Sequence, residues 1–472
     1  MKKYILMLLA FSTILASCDR KPNGGNSSNP EEELSEEYYT GGKTGTVFNR
    51  ASNAFEQVAP AVTDYMAFKR GEKLFEQSFV TGDGPAGGLG PVYIRTSCET
   101  CHPGYGRSRR VDKFDSNEYG NGYLVMIHNP DGSICQSFTT MLQTRAVEPY
   151  LPPVDESGIR INWIEHTDEY GNKYADGETY SLIYPEVTID RSAILLDVPS
   201  DYQVSIEGTI GIFGTGLLDA IPEDSIIERH LHEQSRGYCQ GVSTLPYALD
   251  ENGEAKVGRY TYGCTRSTLQ NGPGSNALWN ITNVTRPDRN YLYATTAWIE
   301  KMAEMGLDTL GFAGGFEKTE MTMEEFDDFM IWHRGLAVPA ARDLDNPIVQ
   351  QGKELFYSIG CTACHKPSWT TGYDKHMPGF SYQKIWPYTD LLRHDLGMKN
   401  PGLRQKCRTT PLWGKGLMYQ CTGANDMLHD MRARTFEEAI LWHGGEAQQC
   451  KESFRNLSKS ERDALVKFLE AI

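Results

Sequence analysis

The sequence predicts a mainly α-helical fold built from two copies of one unit, the first copy carrying a β-rich insertion. Three observations support this. The pentapeptide Cys98-Glu-Thr-Cys101-His102 returns as Cys361-Thr-Ala-Cys364-His365. Each is preceded by a helix-like Gly-x-x-Leu-Phe segment, Gly71 to Phe75 and Gly352 to Phe356. From Tyr123 to about Gly263 the texture changes to β-branched and aromatic residues with turn punctuation, as in Ile161-Asn-Trp-Ile-Glu-His and Thr179-Tyr-Ser-Leu-Ile-Tyr.

The C-x-x-C-H spacing has a chemical cause. Two thiols three positions apart can each add to a vinyl group of one haem, while the adjacent imidazole lies beside the iron as an axial ligand. With 11 Cys and 11 His in 472 residues, random placement gives about 0.006 such motifs per chain. Two covalently attached c-type haems are therefore expected, held by Cys98, Cys101 and His102 and by Cys361, Cys364 and His365. A zinc site and a thioredoxin-like dithiol are the competing readings. Each unit then reads as a cytochrome c-like haem domain.

Such haems are attached outside the bacterial inner membrane, and the N-terminus carries a matching address. Lys2 and Lys3 precede an apolar run, Tyr4 to Leu15, too short to span a membrane and suited to export. It ends in Leu15-Ala16-Ser17-Cys18, which resembles a bacterial lipoprotein box, with Cys18 as the lipidated residue. Residues 1–17 are read as signal peptide and 18–46, acidic and polar, as a flexible tether. The expected place is the bacterial cell envelope, periplasmic or surface-facing, with membrane contact through the lipid anchor only. A net charge of −16 argues against a nucleic-acid partner.

The remaining boundaries follow from texture. Residues 47–345 form the N-terminal haem domain, with the insertion at about 123–263, and residues 346–472 the C-terminal one. Phe356 is five residues before Cys361, whereas a Gly-rich stretch from Asp83 to Pro91 separates Phe75 from Cys98. Helices are expected at Asn290–Gly306, at Met323–Leu336 and over most of the chain after Pro347. Thr435-Phe-Glu-Glu438 and Ser458-Lys-Ser-Glu461 read as capping boxes. Cys135, Cys239, Cys264, Cys407, Cys421 and Cys450 remain after the haem and lipid thiols, an even set in an oxidising compartment. Cys239 with Cys264 and Cys407 with Cys421 are the nearest pairs, though spacing does not fix connectivity.

Several blocks resemble a known family. These are Gly88-Leu-Gly-Pro91, Gly216-Leu-Leu-Asp-Ala-Ile-Pro222, Leu336-Ala-Val-Pro339, Pro387-Tyr-Thr-Asp-Leu-Leu392 with His394-Asp395, and Arg408-Thr-Thr-Pro-Leu-Trp413. Leu428-His-Asp430 running into Trp442-His-Gly-Gly-Glu-Ala447 completes the set. Together they resemble the di-haem oxidoreductases, peroxidases or thiol oxidoreductases related to bacterial di-haem cytochrome c peroxidases, from about residue 47 to the end. The resemblance implies a haem-dependent, peroxidase-like enzyme in which a small redox donor, a protein or quinol-linked, reduces the C-terminal haem. The electron then passes to the N-terminal haem, which meets peroxide or another small oxidant. A structural Ca2+ is kept as a further candidate cofactor.

The resemblance also assigns residues. In these peroxidases the second haem's sixth ligand ends the helix after a His-x-Gly segment, and His443 holds that place after His429. Ala439, Ile440 and His443 share one helical face, which leaves room for a porphyrin. His394 and His429 compete for the role. The family's removable His ahead of an Asn-x-Pro-x-Leu-x-Asn stretch has no counterpart between His232 and Asn276-Ala-Leu-Trp-Asn280, which implies an open first haem. His128, His166, His333 and methionines stay open as its ligands. Glu304-Met305-Gly306 matches the segment whose acid moves the peroxide proton, so Glu304 is the candidate catalytic residue. Arg107, Arg109 and Arg110 are candidates to pair with haem propionates. Trp279, Tyr291, Trp298 and Trp442 are candidates for the electron path. The rival functions are a pure electron carrier and a redox-linked partner in metal acquisition.

Overall fold

Each half of the chain is organised by two helices that cross at a glycine. A computed structural model describes residues 34–83, 86–236, 245–309, 314–402 and 404–472. In the first half, helix Tyr65–Glu76 begins at Asp64, whose carboxylate accepts the Ala67 N–H (2.9 Å). It packs on helix Met323–Arg334, opened by a capping box of Thr322 and Glu325 that the sequence reading missed. A Cβ on Gly71 would lie 2.1 Å from the Asp328 carbonyl oxygen and 2.7 Å from the Trp332 Cβ. In the second half, helix Pro347–Ser358 crosses helix Lys459–Ala471 in the same way. A Cβ on Gly352 would lie 1.9 Å from the Ala464 carbonyl oxygen and 2.9 Å from the Phe468 Cβ. The repeat thus pairs Asp328 with Ala464, Trp332 with Phe468, and by register His333 with Leu469.

The insertion is two-stranded throughout. Leu124–His128 pairs antiparallel with Gln203–Glu207, and Ile159–His166 with Leu182–Ile189. Their buried faces, with Trp298 and Met302 of helix Thr296–Glu304, form a core of their own. The connection between Ile159–His166 and Leu182–Ile189 reaches the second half instead. Tyr174, Leu182 and Tyr184 join the core of Phe356, Trp442, Phe454 and Phe468. Tyr170 donates to Glu452 (2.8 Å), and Arg462 pairs with Asp176 (2.9 Å) and Glu178 (2.5 Å). The insertion therefore packs into the core of the second half. Two helices, Thr215–Asp219 and Glu223–Arg236, follow within its span.

Several expectations need correction. With 31% of residues helical and 15% in strands, in small sheets only, the fold is mixed and not mainly α. After Pro347 much of the chain is irregular, including the two-residue pair Trp369–Thr370 with Lys384–Ile385. Residues Glu36–Ile472 cluster as one compact unit, and the core of Phe55, Phe75 and Trp332 also takes in Trp369, Phe380, Leu391 and Trp413 from beyond residue 346. Residues 36–46 are packed, not a tether: Glu37 is buried against Lys353 and Tyr388, and Thr46–Val47 pairs with Val338–Pro339. Residues 1–33, with the signal peptide and Cys18, lie outside the described residues, as does Cys239. Cys264, Cys407 and Cys421 are free thiols, so Cys407 and Cys421 are not paired. Ser458 and Glu461 form a full capping box, but Glu438 turns to Arg434 and leaves Thr435 only half of one.

The crossings yield a test in which two effects oppose each other. Helix propensity alone favours Ala over Gly by about 0.5–1 kcal/mol, whereas forcing a methyl into a filled contact costs about 1–3 kcal/mol. Gly71→Ala and Gly352→Ala should therefore both lower stability in chemical denaturation. An increase for either would show that the crossing has slack.

Candidate haem sites

The second motif follows directly from its helix. Asn346 caps Pro347–Ser358, and Gly360, at φ 94°, turns the chain out of it. The motif then folds into a tight turn, with the His365 N–H donating to the Cys361 carbonyl (2.9 Å). Both thiols and the imidazole face a cavity of 1370 Å³. The first motif makes the same turn, with the His102 N–H donating to the Cys98 carbonyl (3.2 Å). Phe356 packs against His365 with ring centroids 6.1 Å apart at 53°, and Phe75 against His102 at 6.4 Å and 49°. The longer loop before Cys98 leaves this arrangement intact.

Across the cavity from His365 stands His443, at the end of helix Phe436–Leu441, with ring centroids 6.3 Å apart. An imidazole nitrogen binds a metal at about 2 Å, so two rings on opposite sides of one iron have centroids roughly 6 Å apart. His365 Nδ1 donates to the Tyr388 carbonyl (3.1 Å) and His443 Nδ1 to the Ala439 carbonyl (2.5 Å). These bonds fix the tautomer and leave each Nε2 for a metal. Burial holds both imidazoles below the usual value, His365 at about 4, so both are neutral as ligation requires.

The competing histidines are committed elsewhere. His394 faces Asp390 through Nε2 (2.7 Å) and Glu446 through Nδ1 (2.8 Å). His429 Nε2 meets the Pro401 carbonyl (2.9 Å); despite burial, Cys407 and Asp430 raise it to about 9. His128 bonds Ser205 (2.7 Å), and His166 stacks on Trp442 at 5.0 Å. His333 differs: it is buried, neither ring nitrogen has a partner, and its charge would act on His102. Its counterpart Leu469 lines the second cavity.

The remaining chemistry of the second cavity suits a haem. Arg107, Arg408 and Lys415 line it, and among the described residues none of the three forms an ion pair. Arg408 Nη1 is buried with no partner. Burial, then Arg107 and Arg408, push the Lys415 ammonium far below its usual value. Buried Arg107 and Arg408 and the half-buried Lys415, none of them in an ion pair among the described residues, match the two carboxylates of a haem. Burial pushes Cys98 up to about 12 and Cys364 up to about 11, unlike the lowered thiols of redox dithiols. Among the described residues, the metal-type cluster is Cys364, Asp390 and His394, which contains neither Cys361 nor His365 and is not the all-oxygen set of Ca2+.

Other assignments do not come together. Glu304 ends its helix with a side chain 68% exposed and paired with Lys301 (3.1 Å), an ordinary surface carboxylate. Of the three arginines after the first motif, Arg107 lines the second cavity, Arg109 pairs with Glu118, and Arg110 lies over the Trp163 ring. Trp298 and Trp442 belong to separate cores. Lys415 and Arg408 were missed: Arg408 opens a quoted block, but nothing around Lys415 marks it.

Two measurements follow. Lys415→Met removes positive charge from the carboxylate end, so spectroelectrochemical titration should give a lower midpoint potential for the C-terminal haem. Asp390 and Asp430 are held below the usual carboxylate range, burial being outweighed by His394 in one and Arg432 in the other. Their contribution to stability is present above the unfolded value of about 4 and is lost as pH falls below it. The melting temperature should therefore drop below about pH 4, and less steeply in Asp390→Asn.

Comparison with known proteins places these observations. No curated protein matches the chain. Among solved structures, hydrazine synthase of Kuenenia stuttgartiensis, pressurised with xenon, is 17% identical, covering 39% of this chain and 65% of that one at a TM-score of 0.23. The family model described as "Di-haem oxidoreductase, putative peroxidase" matches residues 192–472, which include the second motif and begin well after the first. Because that match spans more than half of its length, the chain belongs to this di-haem oxidoreductase family.

Proposed function

We propose that the protein is an envelope di-haem c-type cytochrome with peroxidase-like activity. The His365/His443 site serves electron transfer, and the His102 site meets the oxidant. The observation that carries this reading is the facing pair of imidazoles 6.3 Å apart, each with Nδ1 donating to a backbone carbonyl. A haem held between these two imidazoles would be suited to electron transfer. Among the described residues no second ring stands face to face with His102 in this way. A haem at each motif would supply the one-electron chemistry. The chain holds the imidazoles neutral, would compensate the carboxylates with Arg107, Arg408 and Lys415, and lines the second site with Arg229, His232 and Tyr262 from the span of the insertion. Export and a lipid anchor at Cys18 would place it in the envelope, with a small redox protein or quinol-linked donor and peroxide as partners.

His333 favours a second reading, a pure electron carrier. A buried imidazole with two unpartnered nitrogens costs about 1–3 kcal/mol per group, and ligation of the first haem would offset that cost. Electron paramagnetic resonance separates the two. The peroxidase-like reading expects one high-spin ferric haem whose signal cyanide removes; two low-spin haems that persist after half-reduction would overturn it. Steady-state peroxide reduction with a reduced artificial donor should fall at least tenfold in His443→Ala and stay unchanged in Glu304→Gln.

A further inference from the structure

The turn that follows His443 is tied to the segment behind His365 by a buried three-residue bridge. On one side, the Asp390 N–H donates to the Cys364 carbonyl (2.9 Å), next to His365. The Asp390 carboxylate accepts from the Leu392 N–H (2.9 Å) and meets His394 Nε2 at 2.7 Å. On the other side, His394 Nδ1 meets Glu446 at 2.8 Å, three residues after His443. The second oxygen of Glu446 accepts from the Asp395 N–H (3.1 Å) and lies 3.5 Å from Lys406 Nζ. Side-chain exposure is 3% for His394, 0% for Asp390 and 4% for Glu446.

The geometry fixes the charge state. Each ring nitrogen of His394 faces a carboxylate oxygen, an acceptor, so each must carry a proton, and the ring is an imidazolium between two anions. The backbone closes around the same point. A Cβ on Gly445 would lie 2.5 Å from the Asp395 carbonyl oxygen, and one on Gly444 2.9 Å from that of Leu396. The strand Arg393–Asp395 and the Gly444-Gly445 turn therefore fit together only because both glycines lack side chains. The helix before His443, Phe436–Leu441, is six residues long and supplies little stiffness of its own.

We propose that His394 is a positioning residue for His443, its imidazolium bridging Asp390 and Glu446 so that the two facing imidazoles keep their separation. The inference rests on the reading of His443 as the axial partner of His365. Removing the bridge takes away the cation between Asp390 and Glu446, leaves Glu446 only Lys406 at 3.5 Å, and frees the turn after His443. The imidazole should then leave its position for part of the time.

The test uses the holoprotein with both haems, by ferric electron paramagnetic resonance and by carbon monoxide binding after reduction. Glu446→Gln is isosteric and removes one anion, His394→Ala removes the bridge, His443→Ala marks complete loss of the ligand, and Asp463→Asn is a surface control of equal charge change. Glu446→Gln and His394→Ala should each convert part of the C-terminal haem signal from low-spin to high-spin, with carbon monoxide association at that haem at least tenfold faster than in wild type. Asp463→Asn should match wild type. If His394→Ala does not fold or load haem, the isosteric Glu446→Gln decides. Wild-type spectra in both bridge variants, alongside a high-spin His443→Ala, would overturn the bridge and leave the ligand reading standing. An unchanged His443→Ala would overturn the ligand reading and the inference with it.

Discussion

Helix backbone against helix backbone is the contact on which both halves depend. Gly71 and Gly352 bring one helix within contact distance of a carbonyl on its partner, 2.1 Å and 1.9 Å from where a Cβ would be. Four residues further along the same helices, Phe75 and Phe356 reach past the crossing and pack against His102 and His365 at closely similar distances and angles. The crossing thus sets where each imidazole stands, and the cavity is built outward from it. An extra loop of some twenty residues in the first half does not disturb this, because the loop lies between two points that the crossing already fixes.

Beyond that shared frame the halves differ in electrostatics. The second cavity collects Arg107, Arg408 and Lys415, none of them in an ion pair among the described residues, and two neutral imidazoles with their outer nitrogens bound. Buried cations without a paired anion are expensive, and an acidic group entering the cavity would offset that cost. One of those cations, Arg107, comes from the segment five residues after His102, and Arg229, His232 and Tyr262 of the first half's insertion line the same cavity. The second site is therefore completed by the first half of the chain. That is why residues 36–472 pack as one unit and the boundary near residue 346 separates no cores.

The readable parts of the sequence were those governed by short spacing. The C-x-x-C-H turns, the Gly-x-x-Leu-Phe helices, helix Met323–Arg334 and the Ser458 capping box depend on residues within a turn or two of one another. The strands Ile159–His166 and Leu182–Ile189 were legible from their β-branched and aromatic content, but not the core they join. Glu304 shows the limit of a short match. Three residues in the right order placed it near a haem, while the fold leaves it on a helix surface beside Lys301.

By itself, the sequence determined the two attachment motifs, the repeated helix that precedes each, and the histidines from which a second ligand had to come. The resemblance put His443 ahead of His394 and His429, and the tertiary structure shows what each of them meets. His394, His429 and His443 look alike in one dimension, and what separates them is the partner each nitrogen finds: Asp390 and Glu446 for His394, Pro401 for His429, and for His443 a carbonyl on one side and the cavity on the other. Those partners, Ala439 apart, lie 4 to 52 positions away in the chain. Lys415 and Arg107 meet at one cavity from opposite ends of the sequence. Spacing encodes a turn because the backbone has few ways to make one; a buried site is a sum of long-range contacts that only the packed chain brings together.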